Sequence, residues 1–311
     1  MNPPVEPARV LGSTGIPVSA ITLGTSAVGN AVKVTDDQAD MIIERASTSP
    51  ITVIDTSSNY GISEERVGHA LRRIGGLPAG RLLVTKVDPL PGSEDFSGAR
   101  VHASVRESLQ RLGVDRLELV HLHDPERISF DDAMAPDGPV RALLELRDQG
   151  VIGHLGVAGG PIRMMQDYLR TGHFEALVTH NRFTLVDRSA EPLFDLAREL
   201  NVGVFNAAPY GGGFLSGGSA MYCYRPANEG LLQARQLMTE VCAAHGTDLA
   251  TAALHFSLSD PRVTSTIVGV SSVEQLEQTL TRAAAVVPDA LWPDLAEAVP
   301  AAQWWLGPDG R

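Results

Sequence analysis

Short runs of β-branched and aliphatic residues recur along the chain, and each is followed by a longer stretch whose apolar positions return every three or four residues. The runs predict strands at 18–23, 51–54, 81–85, 117–122, 152–157, 176–179, 203–206 and 264–268. The longer stretches predict helices over 36–47, 64–74, 99–112, 139–149, 162–171, 190–200, 231–245 and 273–284. Strand and helix alternating in this way build a parallel sheet, and eight strands suggest closure into an α/β barrel.

Local signals support the element ends. Ser63 and Ser189 are placed as helix N-caps, and Gly75, Gly113, Gly150 and Gly172 stand where a helix ends in a left-handed residue. Residues 10–18 place Gly and polar turn residues between two apolar arms, which predicts a small hairpin able to plug the barrel floor. The tail, 291–311, carries Trp292, Trp304 and Trp305 and is expected to fold back over the barrel mouth. No linker rich in Pro, Gly and Ser interrupts the alternation, so residues 1–311 read as one domain.

At 311 residues with 43% hydrophobic and 20% charged positions, the composition is that of a soluble globular protein. The formal net charge of -12 argues against a nucleic-acid or anionic-membrane partner and leaves a small molecule as the expected one. No apolar stretch approaches the roughly 20 residues of a membrane span. Cys223 and Cys242 are too few for a disulfide framework. Residues 1–6 lack the basic and apolar regions of a secretion signal, so a cytoplasmic location is expected. Nothing in the chain sets an oligomeric state.

The chemistry lies where three predicted strands end. Asp55, Lys86 and His123 each close such a run, and Tyr60 follows the first within a Gly-containing loop. In a parallel barrel, residues past the carboxyl ends of strands converge on one mouth. Taken singly, a strand-end Asp or Lys also reads as a cap or a solvated rim residue. Together they have a use: a phenol titrates near 10 and needs help to move a proton at neutral pH. An adjacent Lys86 ammonium, held by Asp55, favours the phenolate and lowers its pKa, while His123 orients a substrate oxygen. His121 alternates with His123 on the same strand face, and one of the pair is open to a structural role. This set suits proton transfer at an alcohol or carbonyl oxygen, with no metal and no covalent nucleophile. It lacks only a hydride carrier.

The segment Ile54-Asp55-Thr56-Ser57-Ser58-Asn59-Tyr60-Gly61, followed by Glu64 and Val67-Gly68, resembles the aldo-keto reductase signature. Thr85-Lys86 and Leu122-His123-Asp124-Pro125 match the family's Lys and His, and the likeness extends from Leu11-Gly12 and Gly15 to Ile267-Val268-Gly269. The resemblance implies a (β/α)8 TIM barrel that binds a nicotinamide dinucleotide without a Gly-x-Gly-x-x-Gly fingerprint. It assigns Tyr60 as general acid or base, Lys86 and Asp55 as its tuning pair and His123 as the substrate-positioning group.

By the same resemblance, the cofactor falls to Gly24, Thr25, Asp55, Asn181, Ala207, Pro209, Gly211, Gly213, Leu215, Gly269, Val270, Ser271, Gln275 and Gln278. The substrate falls to Ser26, Asn59, Tyr60, His123, Trp304 and Trp305, although a core or interface role for the tryptophans is equally open. The chain departs from the family in three places. Gly156-Val157-Ala158-Gly159-Gly160 stands where the family often has the Ser-Asn that holds the nicotinamide carboxamide, with Asn181 as a replacement and His180 as the better positional match to the family's Gln. Ala207 occupies the position of a stacking Tyr, ahead of a loop, residues 209–217, whose glycines suit backbone approach to a pyrophosphate. Gly269 and Gln275 replace the basic residues that grip a 2'-phosphate, each charge-assisted bond being worth about 1.5 to 3 kcal/mol.

The expected cofactor is therefore NAD, with NADP as the alternative. These departures most resemble the branch containing L-fucose and D-threo-aldose dehydrogenases and pyridoxal 4-dehydrogenase, which oxidise cyclic hemiacetals to lactones. The competing readings are an NADPH-dependent aldehyde or ketone reductase and, from another class, a nicotinamide-binding regulatory subunit.

Overall fold

The computed structural model describes residues 9–90 and 92–307. The predicted leader reading at 1–6 and the last tail positions, 308–311, lie outside the described residues. Eight parallel strands close a barrel in chain order: β1 (Ile21–Gly24), β2 (Val53–Asp55), β3 (Leu82–Val87), β4 (Leu117–His123), β5 (Ile152–Gly159), β6 (Ala176–His180), β7 (Gly203–Ala207) and β8 (Ser265–Gly269). Closure comes from β8 pairing β1, with Thr266 opposite Ile21 and Gly269 opposite Gly24.

Two predicted strand starts shift by two or more residues. Val18 pairs with Arg9 in the N-terminal hairpin rather than beginning β1, and residues 51–52 precede β2 because the Thr52 amide donates to Ser19 Oγ at 2.8 Å. The hairpin plugs the floor as expected: Leu11 and Val18 are fully buried among Val53, Leu119 and Phe205 of the barrel interior. Gly12 has φ of 51°, and a Cβ there would lie 2.3 Å from the Gly203 amide nitrogen, so glycine is what lets the plug approach β7.

The caps divide. Gly113 ends its helix at φ 71°, and Gly75, Gly150 and Gly172 also have positive φ just past helix ends. Ser63 and Ser189 are not N-caps. Ser63 is the first residue of helix Ser63–Arg73, and its hydroxyl instead reaches Thr25 Oγ1 at 2.8 Å and accepts from Thr56 Oγ1 at 2.9 Å. Ser189 donates its hydroxyl to Asp187, and helix Glu191–Glu199 starts after Ala190 without a side-chain cap.

The sequence reading missed helix Leu249–Ser259, which follows Glu229–Ala244 in the crossover from β7 to β8. Its residues Leu249 to Leu254, Ser257 and Leu258 are all buried, so no polar face marks a helical period. The tail forms helix Leu291–Glu297, whose Leu291 and Leu295 pack with Leu231 and Met238. Among the described residues, no helix is long and apolar enough to cross a membrane.

Candidate active site

At the carboxyl end of the barrel a cleft of about 490 Å³ is lined by residues from all eight strands or the loops that follow them, among them Asp55, Tyr60, Lys86 and His123. The four predicted catalytic side chains therefore meet in one place. Asp55 ends β2, Lys86 lies one residue before the end of β3, and His123 ends β4. The loop carrying Tyr60 is pinned by helix Ser63–Arg73, where buried Glu64 accepts from Thr85 Oγ1 and from Arg111 Nε, locking that helix to β3 beside Lys86.

Lys86 Nζ donates to both oxygens of Asp55 at 2.8 Å and to the Thr56 carbonyl at 2.8 Å, and it sits 4.6 Å from the centre of the Tyr60 ring. Burial alone lowers the Lys86 pKa, but the neighbouring Asp55 and Tyr60 reverse this and hold it above its ordinary value. The ammonium is thus permanent. For Tyr60 the net effect is opposite to the sequence expectation. Burial pushes the phenol up to about 12, and Asp55 and Asp88 add to it, so the Lys86 charge limits the rise without producing a phenolate. Desolvation of an anion is the larger effect.

His123 depends on a residue the sequence reading missed. Asp88, buried just after β3, accepts from His123 Nδ1 at 2.8 Å and from the Ser57 hydroxyl at 2.7 Å. Burial opposes ionisation of Asp88, yet His123 and Ser57 hold its pKa below the usual carboxylate range. An ionised Asp88 makes Nδ1 the donor and leaves Nε2 for a ligand in the cleft. The signal was the alternation that places Asp88 two residues beyond Lys86. Donor atoms of Asp88, His123 and Asp124 lie within 4.8 Å of one another, but the Asp88 bonds serve to orient an imidazole. His121 is fully buried beneath, and burial with the Lys86 charge pushes its pKa well down, which leaves it neutral.

Other predicted residues separate into those on the cleft and those away from it. Gly24, Ser26, Asn59, Ala207 and Gly269 line it. Thr25 does not: its hydroxyl donates to the Asp55 carbonyl at 2.8 Å. Pro209, Gly211, Gly213, Leu215 and Val270 lie outside the lining, and Ser271 turns its amide to Gln275 Oε1 at 2.8 Å. Gln278 lines a different cavity with Asp248 and Arg282. Trp304 lies against Gly230, where a Cβ would meet its ring at 2.5 Å, and Trp305 Nε1 donates to the Pro300 carbonyl. Neither is among the residues that line this cleft. The tail does reach a loop at the mouth, where the Leu306 amide donates to Asp187 at 2.7 Å.

Within residues 156–160, the glycine at position 159 has a steric cause. A Cβ on Gly159 would lie 2.7 Å from Pro125 Cδ and 3.0 Å from Glu126 Oε2, so the loop after β4 fills the space a side chain would need. Asn181 turns its side-chain nitrogen to His180 Nδ1 at 3.0 Å, whereas His180 itself lines the cleft. Burial, with the Arg182 charge, lowers His180 to about 4. Asp124, Glu126, Ala158, Val178, Ala208, Tyr224 and Ile267 complete the missed lining.

Gly24, Ala207, Ala208 and Gly269 form a small-residue flank, and a Cβ on Gly24 would lie 2.9 Å from Ile267 Cγ2. That flank leaves room for a dinucleotide to enter beside Tyr60. The opposite flank, with Asp124 and Glu126, is polar.

The aldo/keto reductase family model matches residues 20–299. D-threo-aldose 1-dehydrogenase from Pseudomonas sp is 29% identical over 94% of this chain and 97% of its own length. L-galactose dehydrogenase from Arabidopsis thaliana is 30% identical, covering 87% of this chain and 86% of the relative. Pyridoxal 4-dehydrogenase from Microbacterium luteolum is 27% identical over 92% and 96%. Among solved structures, the holo form of an aldo-keto reductase from Bacillus halodurans superposes with a TM-score of 0.79 at 26% identity, covering 95% of this chain and 97% of that one.

Proposed function

The chain is an oxidoreductase of the aldo/keto reductase family, and from that premise we propose that it oxidises a cyclic hemiacetal of a sugar, or of a related aldehyde such as pyridoxal, to the lactone with NAD. The observation that carries this reading is the common exposure of Tyr60 and His123 to one cleft, with a permanent Lys86 charge against the Tyr60 ring. The relatives named for sugar and pyridoxal oxidation support the substrate class.

The protein's own groups divide the work. Asp88 fixes the His123 ring so that Nε2 meets the reacting oxygen. Tyr60 accepts the hydroxyl proton in oxidation and returns it in reduction, and the Lys86 ammonium offsets the negative charge that phenolate formation creates. Asp55 holds that ammonium in place. Gly24, Ala207, Ala208 and Gly269 would hold a nicotinamide dinucleotide, which when bound supplies the hydride acceptor. NAD is favoured over NADP because Gly269 and Gln275 offer no cation for a 2'-phosphate.

Initial rates with L-fucose, L-galactose, pyridoxal and simple aldehydes, each against NAD(H) and NADP(H), test the reading. Oxidation of at least one hemiacetal with NAD is expected. If no hemiacetal is oxidised with either nucleotide, the reading is overturned.

A further inference from the structure

The long crossover after β7 contains a tight hairpin, Met221–Tyr222 paired with Arg225–Pro226, whose turn residues are Cys223 and Tyr224. Their φ values are 47° and 64°. Two consecutive positive φ angles define a type I′ turn, a geometry in which Asn-Gly or Gly-Gly is ordinarily found. Here an aromatic residue stands at the glycine position, where its Cβ crowds the backbone.

The base of the hairpin is firmly held. Tyr222 donates its hydroxyl to the Asn181 carbonyl and shares a hydrogen bond of 2.9 Å with Thr184 Oγ1. Its ring packs edge-on against Phe214 at 5.6 Å, and Cys223 is buried. Tyr224 differs. It is 82% exposed, stands edge-on to His180 at 6.4 Å, and lines the cleft that contains Tyr60 and His123. An aromatic side chain placed so far into solvent adds little to the core. Retaining a disfavoured backbone to present it is a feature of recognition sites.

The same cleft holds the acceptors a polyol would need. Asp124 and Glu126 both line it. A pyranose or furanose ring offers an apolar C–H face for an aromatic ring and an edge of hydroxyl donors for carboxylates. A planar aromatic substrate would use the ring and leave the carboxylates without enough donors. A small acyclic aldehyde lacks the ring face altogether.

We propose that Tyr224 is a specificity-determining residue which, with Asp124 and Glu126, selects a cyclic polyol by stacking on its C–H face while the carboxylates accept its hydroxyls. This rests on the reading of Tyr60 as the proton carrier in hydride transfer, and it narrows the substrate to a ring-form sugar.

Tyr224→Gly is the informative variant, because glycine relieves the turn and a failure to fold is not expected. Its kcat/KM ratio for L-fucose or L-galactose over glyceraldehyde should fall about 3- to 10-fold, carried by KM of the sugar, while Tyr224→Phe retains the wild-type ratio. Glu126→Gln should raise KM for the same sugar. Ligand-observed NMR of L-fucose and L-galactose with the NAD-loaded protein supplies a readout independent of turnover, and the sugar signal should weaken in Tyr224→Gly. An unchanged ratio, or an equal loss for sugar and glyceraldehyde, overturns the proposal while sugar oxidation by the parent still upholds the function. Sugar binding without oxidation by the parent, lost in Tyr224→Gly, upholds the subsite and refutes the assigned reaction. A parent that neither binds nor oxidises a cyclic sugar overturns the subsite.

Discussion

Lys86 Nζ lies 4.6 Å from the centre of the Tyr60 ring while both oxygens of Asp55 hold it at 2.8 Å. The phenol nonetheless stays protonated at neutral pH, since burial carries its pKa to about 12. A protonated Tyr60 is ready to act as an acid. To act as a base it must first lose its proton, and Lys86 makes that loss less costly. The pair thus sets a directional dependence on pH.

Oxidation should accordingly accelerate as pH rises from 7 to 10, because the phenolate fraction grows about tenfold per unit below the Tyr60 pKa. Reduction, which needs the protonated phenol, should vary little across the same range. Steady-state kcat/KM against pH in both directions measures this. Tyr60→Phe should lower kcat about 10²- to 10⁴-fold with cofactor affinity largely retained; undiminished oxidation by that variant would remove Tyr60 from the reaction.

Asp55→Asn bears on the fold as well as the chemistry. Lys86 is 1% exposed and Asp55 4%, so neutralising the acid leaves a buried ammonium without its counter-charge. Removing one partner of such a pair typically costs about 3–5 kcal/mol. Urea unfolding at neutral pH should show a lower midpoint, together with a large fall in kcat. A midpoint matching the parent would mean that water or Thr56 already satisfies the Lys86 charge.

Asp88→Asn isolates the orienting role of the residue beneath His123. The substitution keeps the size of the side chain but removes the charge that accepts from Nδ1 at 2.8 Å. A hydrogen bond to a charged group is worth about 1.5–3 kcal/mol, which corresponds to about 10- to 150-fold in rate if the ring loses its orientation. The loss should appear in kcat and shift the pH profile, with a smaller effect on KM for the cofactor. Loss of stability with unaltered kinetics would instead assign Asp88 to the fold alone.

Barrel topology and the meeting of Asp55, Tyr60, Lys86 and His123 were legible because both depend on strand order, and strand ends can be read from short apolar runs. Parts that depend on three-dimensional packing were not. Helix Leu249–Ser259 is buried on nearly every face and so shows no amphipathic period. Ser63 looked like a cap, but hydroxyls from two other loops compete for it. The tryptophans of the tail are unmistakable in sequence, yet whether an indole meets the cleft or Gly230 depends on a chain path that composition does not encode. Tyr224 left no signal, since it sits where turn statistics favour glycine.

Gly269→Lys tests the cofactor preference at a position where the geometry tolerates the change. Gly269 lines the cleft, has no positive φ, and a Cβ built there meets nothing nearer than the Gly24 carbonyl oxygen at 4.0 Å. Gln275 is a poorer choice because its Oε1 accepts from the Ser271 amide at 2.8 Å and from the Ser271 hydroxyl at 3.1 Å, bonds an arginine would destroy. If the missing cation is what favours NAD, a lysine at position 269 should add one charge-assisted bond to a 2'-phosphate, worth about 1.5–3 kcal/mol. The ratio of kcat/KM for NADP over NAD should then rise about 10- to 150-fold, mainly through KM for NADP, and the gain should shrink as salt screens the new charge. An unchanged ratio would place the discrimination elsewhere, with Arg262 and Arg282 the next cations to vary. Arg262 is held by Asp260 and Asp195 at 2.7 and 3.0 Å, whereas Arg282, which lines the separate cavity beside Gln278, has a looser ion pair with Asp248 at 3.9 Å, which makes Arg282 the more informative of the two.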